Sequence, residues 1–363
     1  MTAAIRIVSP GLLTSIQDIG RIGHQRFGIS VSGACDRVSL AAANVLVGNA
    51  LGAAALEIAY QGPTFEVQAD SMRVAFAGGT AAIDIIPADG GTPTRLAMFE
   101  SRRLVRGETL RIGALSGSAV GYLAIEGGFD IAPFAGSLST FSRAAFGGWK
   151  GRALMAGDEV PLKLQTVEER EEYKLPPIDL TPPPRIRVVL GPQDDYFTET
   201  GIRTFLNSTY SVTQASDRMG MRLDGPTIED EKGFNIVSDG IATGSIQVPG
   251  TSLPIILLSD RQTTGGYPKI ATVISADLPA LGRLSPGAQI CFEAVSIEQA
   301  EALRGEMIAM IDSFASRMMP ITPTAIIDEG KLLTCNLISG VVNGNPLPEN
   351  DISLEHDQYE TAL

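Results

Sequence analysis

Short apolar runs separated by polar, glycine- and proline-rich breaks recur along most of the chain. They predict strands at residues 5–8, 56–60, 64–67, 72–77, 81–86, 109–112, 120–125, 185–190, 244–248 and 254–258. Helical spacing is rare and confined to residues 36–47, 194–205 and 296–319. In the first of these, Val38, Ala41, Ala42, Val45 and Leu46 share one face. Asp36 stands at its N-cap position, with catalysis as the other reading of that carboxylate, and Gly48 suits a left-handed stop. With 39 glycines and 22 prolines as punctuation, closely spaced short strands point to barrels or sandwiches rather than a doubly wound sheet. The fold class expected is mostly β with a few helices.

Charge gathers at Glu168, Glu169, Arg170, Glu171 and Glu172, and prolines follow at 176, 177, 182, 183 and 184. Such a stretch reads as an extended linker. It divides the chain into a domain at residues 1–165, the linker at 166–184, a second domain at 185–297 and a C-terminal helix and extension at 298–363. An internal echo spans the boundary. Gly62-Pro-Thr-Phe-Glu66 precedes Gly151-Arg152, and Gly225-Pro-Thr-Ile-Glu229 precedes Gly282-Arg283 in the same order, which suggests tandem copies of one β-barrel-like unit.

The net charge of −13 argues against nucleic acid or an anionic membrane as partner, because phosphate binding needs clustered Lys and Arg. No basic leader and no window of 18 apolar residues occurs, so a soluble, cytoplasmic protein is expected. Cys35, Cys291 and Cys335 lie far apart, and with only His24 and His356 neither a zinc site nor a histidine cluster is indicated. No metal is expected. Acid and base work falls to carboxylates, Lys or Tyr.

Between two apolar runs lies the polar stretch Ser259 to Lys269, longer than a connecting turn needs. Asp260, Arg261, Tyr267 and Lys269 are its candidate catalytic groups, and Gln262, Thr263 and Thr264 its candidate substrate ligands. Gly265 and Gly266 let the backbone bend or approach a ligand closely. A second glycine-bent loop near the N-terminus offers Gln17, Asp18 and Arg21. Ser216, Asp217 and Arg218 read either as a ligand site or as a turn with a local Asp–Arg pair. Glu57, alone among apolar residues, needs a cationic partner if buried, with Arg37 or Arg143 as candidates.

Several of these segments together resemble one family. They are Pro10-Gly-Leu-Leu-Thr14 with Gln17-Asp-Ile-Gly-Arg21, Ser32-Gly-Ala-Cys-Asp36, Ala43-Asn-Val-Leu-Val-Gly-Asn49 with Leu56-Glu57, Ser216-Asp-Arg-Met-Gly220, Gly244-Ser-Ile-Gln-Val-Pro249 and Asp260-Arg-Gln-Thr-Thr-Gly-Gly-Tyr-Pro268. The chain resembles the KipA-like proteins, also called allophanate hydrolase subunit 2, the biotin-dependent carboxyltransferase family or the 5-oxoprolinase C subunit. The resemblance covers residues 5 to about 300. It implies two tandem cyclophilin-like β-barrels and work inside a complex. A KipI-like B subunit and an A subunit would join this chain to open 5-oxoproline to L-glutamate at the expense of ATP, with the nucleotide shared with or bound by a partner.

The same resemblance implies two alternatives. One is carboxyl transfer from biotin to urea or a related amide; the other is a regulatory partnership with a KipI-like kinase inhibitor. No Gly-x-x-x-x-Gly-Lys-Ser/Thr loop occurs, and Arg218-Met-Gly-Met-Arg222 lacks the lysine that biotin attachment uses. Beyond residue 300 the resemblance thins, and strands are expected at 325–327 and 332–342 before an acidic tail.

Overall fold

The computed structural model describes residues 3–321, and the strands anticipated at 325–327 and 332–342 lie outside the described residues. The architecture is mostly β. Residues 4–161 form a first lobe of two sheets. One has six strands, with Ala4–Ser9, Thr64–Val67, Thr109–Ile112 and Ile83–Ile86 at its centre; the other has five, ordered Leu13–Gln17, Ala55–Ala59, Ser116–Ile125, Ser71–Thr80, Ser101–Val105. Between them, Ile5, Phe65, Leu56, Phe76 and Leu123 belong to one fully buried cluster. Each such side chain contributes on the order of 1.5–3 kcal/mol through burial.

The second face of the five-stranded sheet follows from strand alternation. Val74 and Phe76 face the inter-sheet core, while Ala75, Ala77, Tyr122 and Ala124 pack with helix α1 (Arg37–Leu46). Alanines on that face let the helix approach closely. Alternation also puts Glu57, the neighbour of Leu56 and Ile58, on the buried helix side.

The second lobe is one eight-stranded sheet, in the order Gln289–Ile290, Tyr210–Val212, Gly220–Asp224, Ile255–Leu257, Ser245–Gln247, Lys269–Val273, Ile186–Leu190, Phe292–Ala294. Its first and last strands are consecutive pieces of chain parted at Cys291, so the sheet nearly closes on itself. Phe205 of α2 (Glu199–Asn207) stacks on Phe292 with ring centroids 4.4 Å apart and plugs the interior. A 3-10 turn at Asp194–Tyr196 precedes α2, because Phe197 is extended and Thr198 supplies the cap. Helix α3 (Leu278–Arg283) was not anticipated from the periodicity.

The segment 166–184 is extended but anchored. Arg73, fully buried, pairs with Glu126 and Glu172 and donates to the Glu168 carbonyl at 2.9 Å. Val167 and Leu175 are buried, and Tyr173–Lys174 pairs with Met319–Pro320. Helix α4 (Ile297–Asp312) starts on a Ser296–Gln299 capping box; α5 (Phe314–Arg317) follows and sinks Phe314 into the cluster beneath α1. The single helix expected over 296–319 is thus two, broken at Ser313. Among the described residues no helix is long and apolar enough to cross a membrane.

Candidate active site at the junction of the lobes

The turn Ser216–Gly220 is set by Asp217, whose Oδ1 accepts from the Met219 and Gly220 amides at 2.8 and 3.1 Å. That turn presents Arg218 to the other lobe. Its Nε donates to Asp260 Oδ2 at 2.8 Å, and Nη2 donates to Asp260 Oδ1 at 3.1 Å and to the Gly33 carbonyl at 2.7 Å. Nη1 donates to Cys35 Sγ at 3.1 Å and to Glu57 Oε1. A guanidinium has five N–H donors, and all five are engaged here.

Glu57 therefore has its cationic partner in Arg218, 161 residues away in sequence, and not in Arg37 or Arg143. Among the described residues Arg37 donates to the Ile19 carbonyl at 3.4 Å, and Arg143 pairs at 3.4 Å with Asp217. The network continues inward. Glu57 Oε2 accepts from the Cys35 amide at 2.9 Å and from the Tyr122 hydroxyl, whose oxygen accepts from the Asp36 amide at 2.9 Å. Asp36 caps α1 as expected, accepting from the Val38 and Ser39 amides at 3.0 and 3.2 Å, and takes Arg283 of α3 at 2.8 Å.

Burial sets the protonation of this cluster. It pushes the Tyr122 hydroxyl well up, with Glu57, Cys35 and Asp36 adding to the effect. It pushes the Cys35 thiol up to about 12 against the opposing pull of Arg218. Burial alone would lower Arg218; the charges of Cys35, Glu57 and Asp260 reverse that and hold it above the ordinary arginine range.

The two polar loops meet beside this cluster. The Ser259 carbonyl accepts from the Ser32 amide at 3.0 Å and the Ser30 hydroxyl at 3.2 Å. Gln25 donates to the Ile241 carbonyl at 2.7 Å and accepts from Arg261 Nη2 at 3.0 Å. Arg261 also donates to the Ile241 carbonyl at 3.2 Å, yet its Nη1 is buried without a partner, and burial lowers its pKa to about 10. Arg21 is a second such group. It lies over Phe146 and Phe134 at 4.8 and 5.7 Å, donates to the Ser139 carbonyl and leaves Nε and Nη1 unpartnered. Burial lowers it too, opposed by Asp18 and Asp260.

The other anticipated site residues sit differently. Asp18 accepts from the Gly20 and Leu138 amides and from Ser137 and Ser139, while Gln17 donates to Ser15 and the Thr140 carbonyl, so both brace residues 137–140. Ser216 accepts from the Arg222 amide at 3.0 Å. Lys269 is buried and its ammonium is held by Asp239 at 2.9 Å. Thr264–Gly265 pairs with Asp239–Gly240, the Thr263 and Gly266 carbonyls accept from the Ile241 and Ile236 amides, and Gln262 and Tyr267 are exposed. The structure thus joins Arg218 to Asp260 with Arg21 in charge reach of that carboxylate, turns Arg261 toward Gln25 and the Ile241 carbonyl, and ties residues 263–266 to the segment 236–241. Cys35 joins the cluster from the motif Ser32-Gly-Ala-Cys-Asp36, and Tyr122 and Arg283 join it without a local sequence signal.

A cavity of about 190 Å³ opens beside Arg218, lined also by Cys35, Tyr60, Ser216 and Asp217. Residues 27–294 match the carboxyltransferase domain, subdomain A and B. The chain belongs to the carboxyltransferase-domain family. It is 38% identical over 293 residues to the 5-oxoprolinase C subunit of Haemophilus influenzae, covering 80% of this chain and 91% of that one. To the Escherichia coli protein of the same name it is 35% identical over 317 residues, covering 86% and 98%. Among solved structures, the Kluyveromyces lactis urea amidolyase superposes with a TM-score of 0.77 at 31% identity, over 86% of this chain and 20% of that one. In this carboxyltransferase-family chain Cys35, Glu57, Tyr122, Arg218, Asp260 and Arg283 all fall inside the matched span, whereas Arg21 and helix α4 fall outside it.

Proposed function

We propose that this chain is the C subunit of an ATP-dependent 5-oxoprolinase, which opens 5-oxoproline to L-glutamate with a KipI-like B subunit and an A subunit. The observation that carries this reading is the nearly end-to-end likeness to two proteins of that name. The chemistry of the inter-lobe site supports it. Opening a lactam places negative charge on the amide oxygen, and guanidinium N–H groups in a water-poor site are strong stabilisers of such charge. Arg218 has no donor to spare. Arg261 and Arg21 do, so they are the groups we assign to the amide oxygen or to a phosphoryl group upon it. Arg218 positions Asp260 and closes the lobes on one another, and Lys269 is already committed to Asp239. ATP is a co-substrate of the complex in this reading.

Glutamate release from 5-oxoproline and ATP, measured with all three subunits and with this chain withheld, tests the reading; unchanged activity on withholding it overturns the proposal. The likeness to urea amidolyase supports a second reading, carboxyl transfer from biotin to a urea-like amide. Sensitivity of the activity to avidin separates the two.

A further inference from the structure

A second cavity, of about 320 Å³, adjoins the one beside Arg218 at Cys35, Leu258 and Gly282. It is lined by Val31, Ser32, Ala34 and Cys35, by Leu278, Pro279 and Gly282 of α3, and by α4. Gly282 has to be glycine in this lining, since a Cβ there would stand 2.6 Å from the Cys35 carbonyl oxygen. Met307, Ile308 and Ile311 line the cavity from α4 at helical spacing and form an apolar stripe along it. Ile308 remains 43% exposed, so α4 leaves apolar surface uncovered by protein here.

Three polar features on this apolar background call for a ligand. Arg37, at the first position of α1, and Arg304, on the same face of α4 as Met307 and Ile308, both line the cavity and form no ion pair among the described residues. Burial lowers Arg37, and the Arg304 charge lowers it further. Ser32 is the third. It is 4% exposed, its Oγ has no hydrogen-bond partner, and its backbone is held at φ 54°, a left-handed conformation that costs a non-glycine residue about 1–3 kcal/mol. The Ser32 amide is fixed by the Ser259 carbonyl at 3.0 Å, which keeps the residue in that conformation in the cavity lining.

We propose that this cavity binds a small organic carboxylate: Arg37 and Arg304 take the anion, the α4 stripe covers an apolar body, and the Ser32 hydroxyl supplies a hydrogen bond. Two cations without counterions favour a single negative charge between them, and the stripe disfavours a ligand that is polar all round. Cys35, Leu258 and Gly282 line both this cavity and the one beside Arg218, so the two adjoin, but Arg37, Arg304 and Ser32 line only this one, and the proposal stands whether or not the reaction proposed above is correct.

Calorimetric titration of the full chain with 5-oxoproline, cyclopentanecarboxylate, 2-pyrrolidinone and inorganic phosphate tests the assignment. The expected result is binding of at least one of the two carboxylates, with no detectable binding of neutral 2-pyrrolidinone or of phosphate. Arg304→Ala, at an exposed helical position, weakens that binding at least tenfold, and Arg304→Lys restores part of it. Ser32→Gly, which fits the left-handed backbone without strain, folds normally and weakens binding as well. Equal binding of 2-pyrrolidinone, binding of phosphate alone, no binding of either carboxylate at millimolar concentration, or unchanged affinity in Arg304→Ala overturns the proposal. Failure of the glutamate-release assay with all three subunits is a separate result, since titration of this chain alone involves no turnover.

Discussion

Arg218 and Asp260 are joined twice over: the guanidinium meets the carboxylate through two hydrogen bonds of 2.8 and 3.1 Å, and the Arg218 carbonyl accepts the Asp260 amide at 2.8 Å. Because the same guanidinium reaches Gly33, Cys35 and Glu57, this pair is also the seam between the lobes.

Removing that guanidinium strands two carboxylates in the interior. Arg218→Ala is expected to lose about 3–5 kcal/mol of unfolding free energy, the usual cost of breaking one side of a buried ion pair. Urea denaturation at pH 7 measures it; a loss under about 1 kcal/mol would show that water readily replaces the side chain.

Cys35 is held as a thiol by burial, with its pKa near 12. The thiolate is the reactive form, so native protein at pH 8 should resist alkylation at Cys35 by iodoacetamide and react there only once unfolded. Mass spectrometry of the peptide carrying Cys35 reads this out, and rapid labelling of the native chain would count against a thiol held protonated.

Asp158 is held below the usual carboxylate range, first by the Arg152 guanidinium and then by the Met155 amide, against the effect of burial. A depressed folded-state pKa contributes stability above the ordinary value of 3.8, and that contribution is lost as pH falls below it toward the folded value. Asp158→Asn should cost about 1.5–3 kcal/mol at pH 7 and progressively less below pH 3.8. Denaturation midpoints of both proteins from pH 7 to pH 2.5 follow the difference, and a gap that stays constant with pH contradicts it.

Arg73 staples the charged segment at 168–172 to the first lobe. Arg73→Ala should free that segment, so trypsin cuts after Arg170 at least tenfold faster than in the parent chain. Equal cleavage rates would mean that Val167, Leu175 and the short pairing with Met319–Pro320 hold it unaided.

Local chemistry accounts for what could be read from the chain. Asp36 before an amphipathic run and Gly48 after it marked α1, and Thr64–Val67 and Thr109–Ile112 showed their strands through apolar alternation. Helix α3 carried a signal that periodicity overlooked, a proline just inside its start after Asp277. Strands of two or three residues, such as Tyr210–Val212, are too short to show a period. The polarity and glycines of the two loops are local features, but the inward turn of Arg21, Arg261 and Lys269 is not legible there, because burial of a charge depends on partners far away in sequence. Glu57 shows the same limit: alternation along its strand buries it, and only the folded chain supplies Arg218.

The second lobe's sheet begins at Gln289–Ile290 and ends at Phe292–Ala294, adjoining stretches of one strand-like run. A ring hemmed in this way presents almost no loose border of backbone amides, so an incoming polypeptide finds little there to extend. Contacts to this lobe are left to side chains on its loops and helical flanks, where a single substitution is able to change which neighbour is accepted.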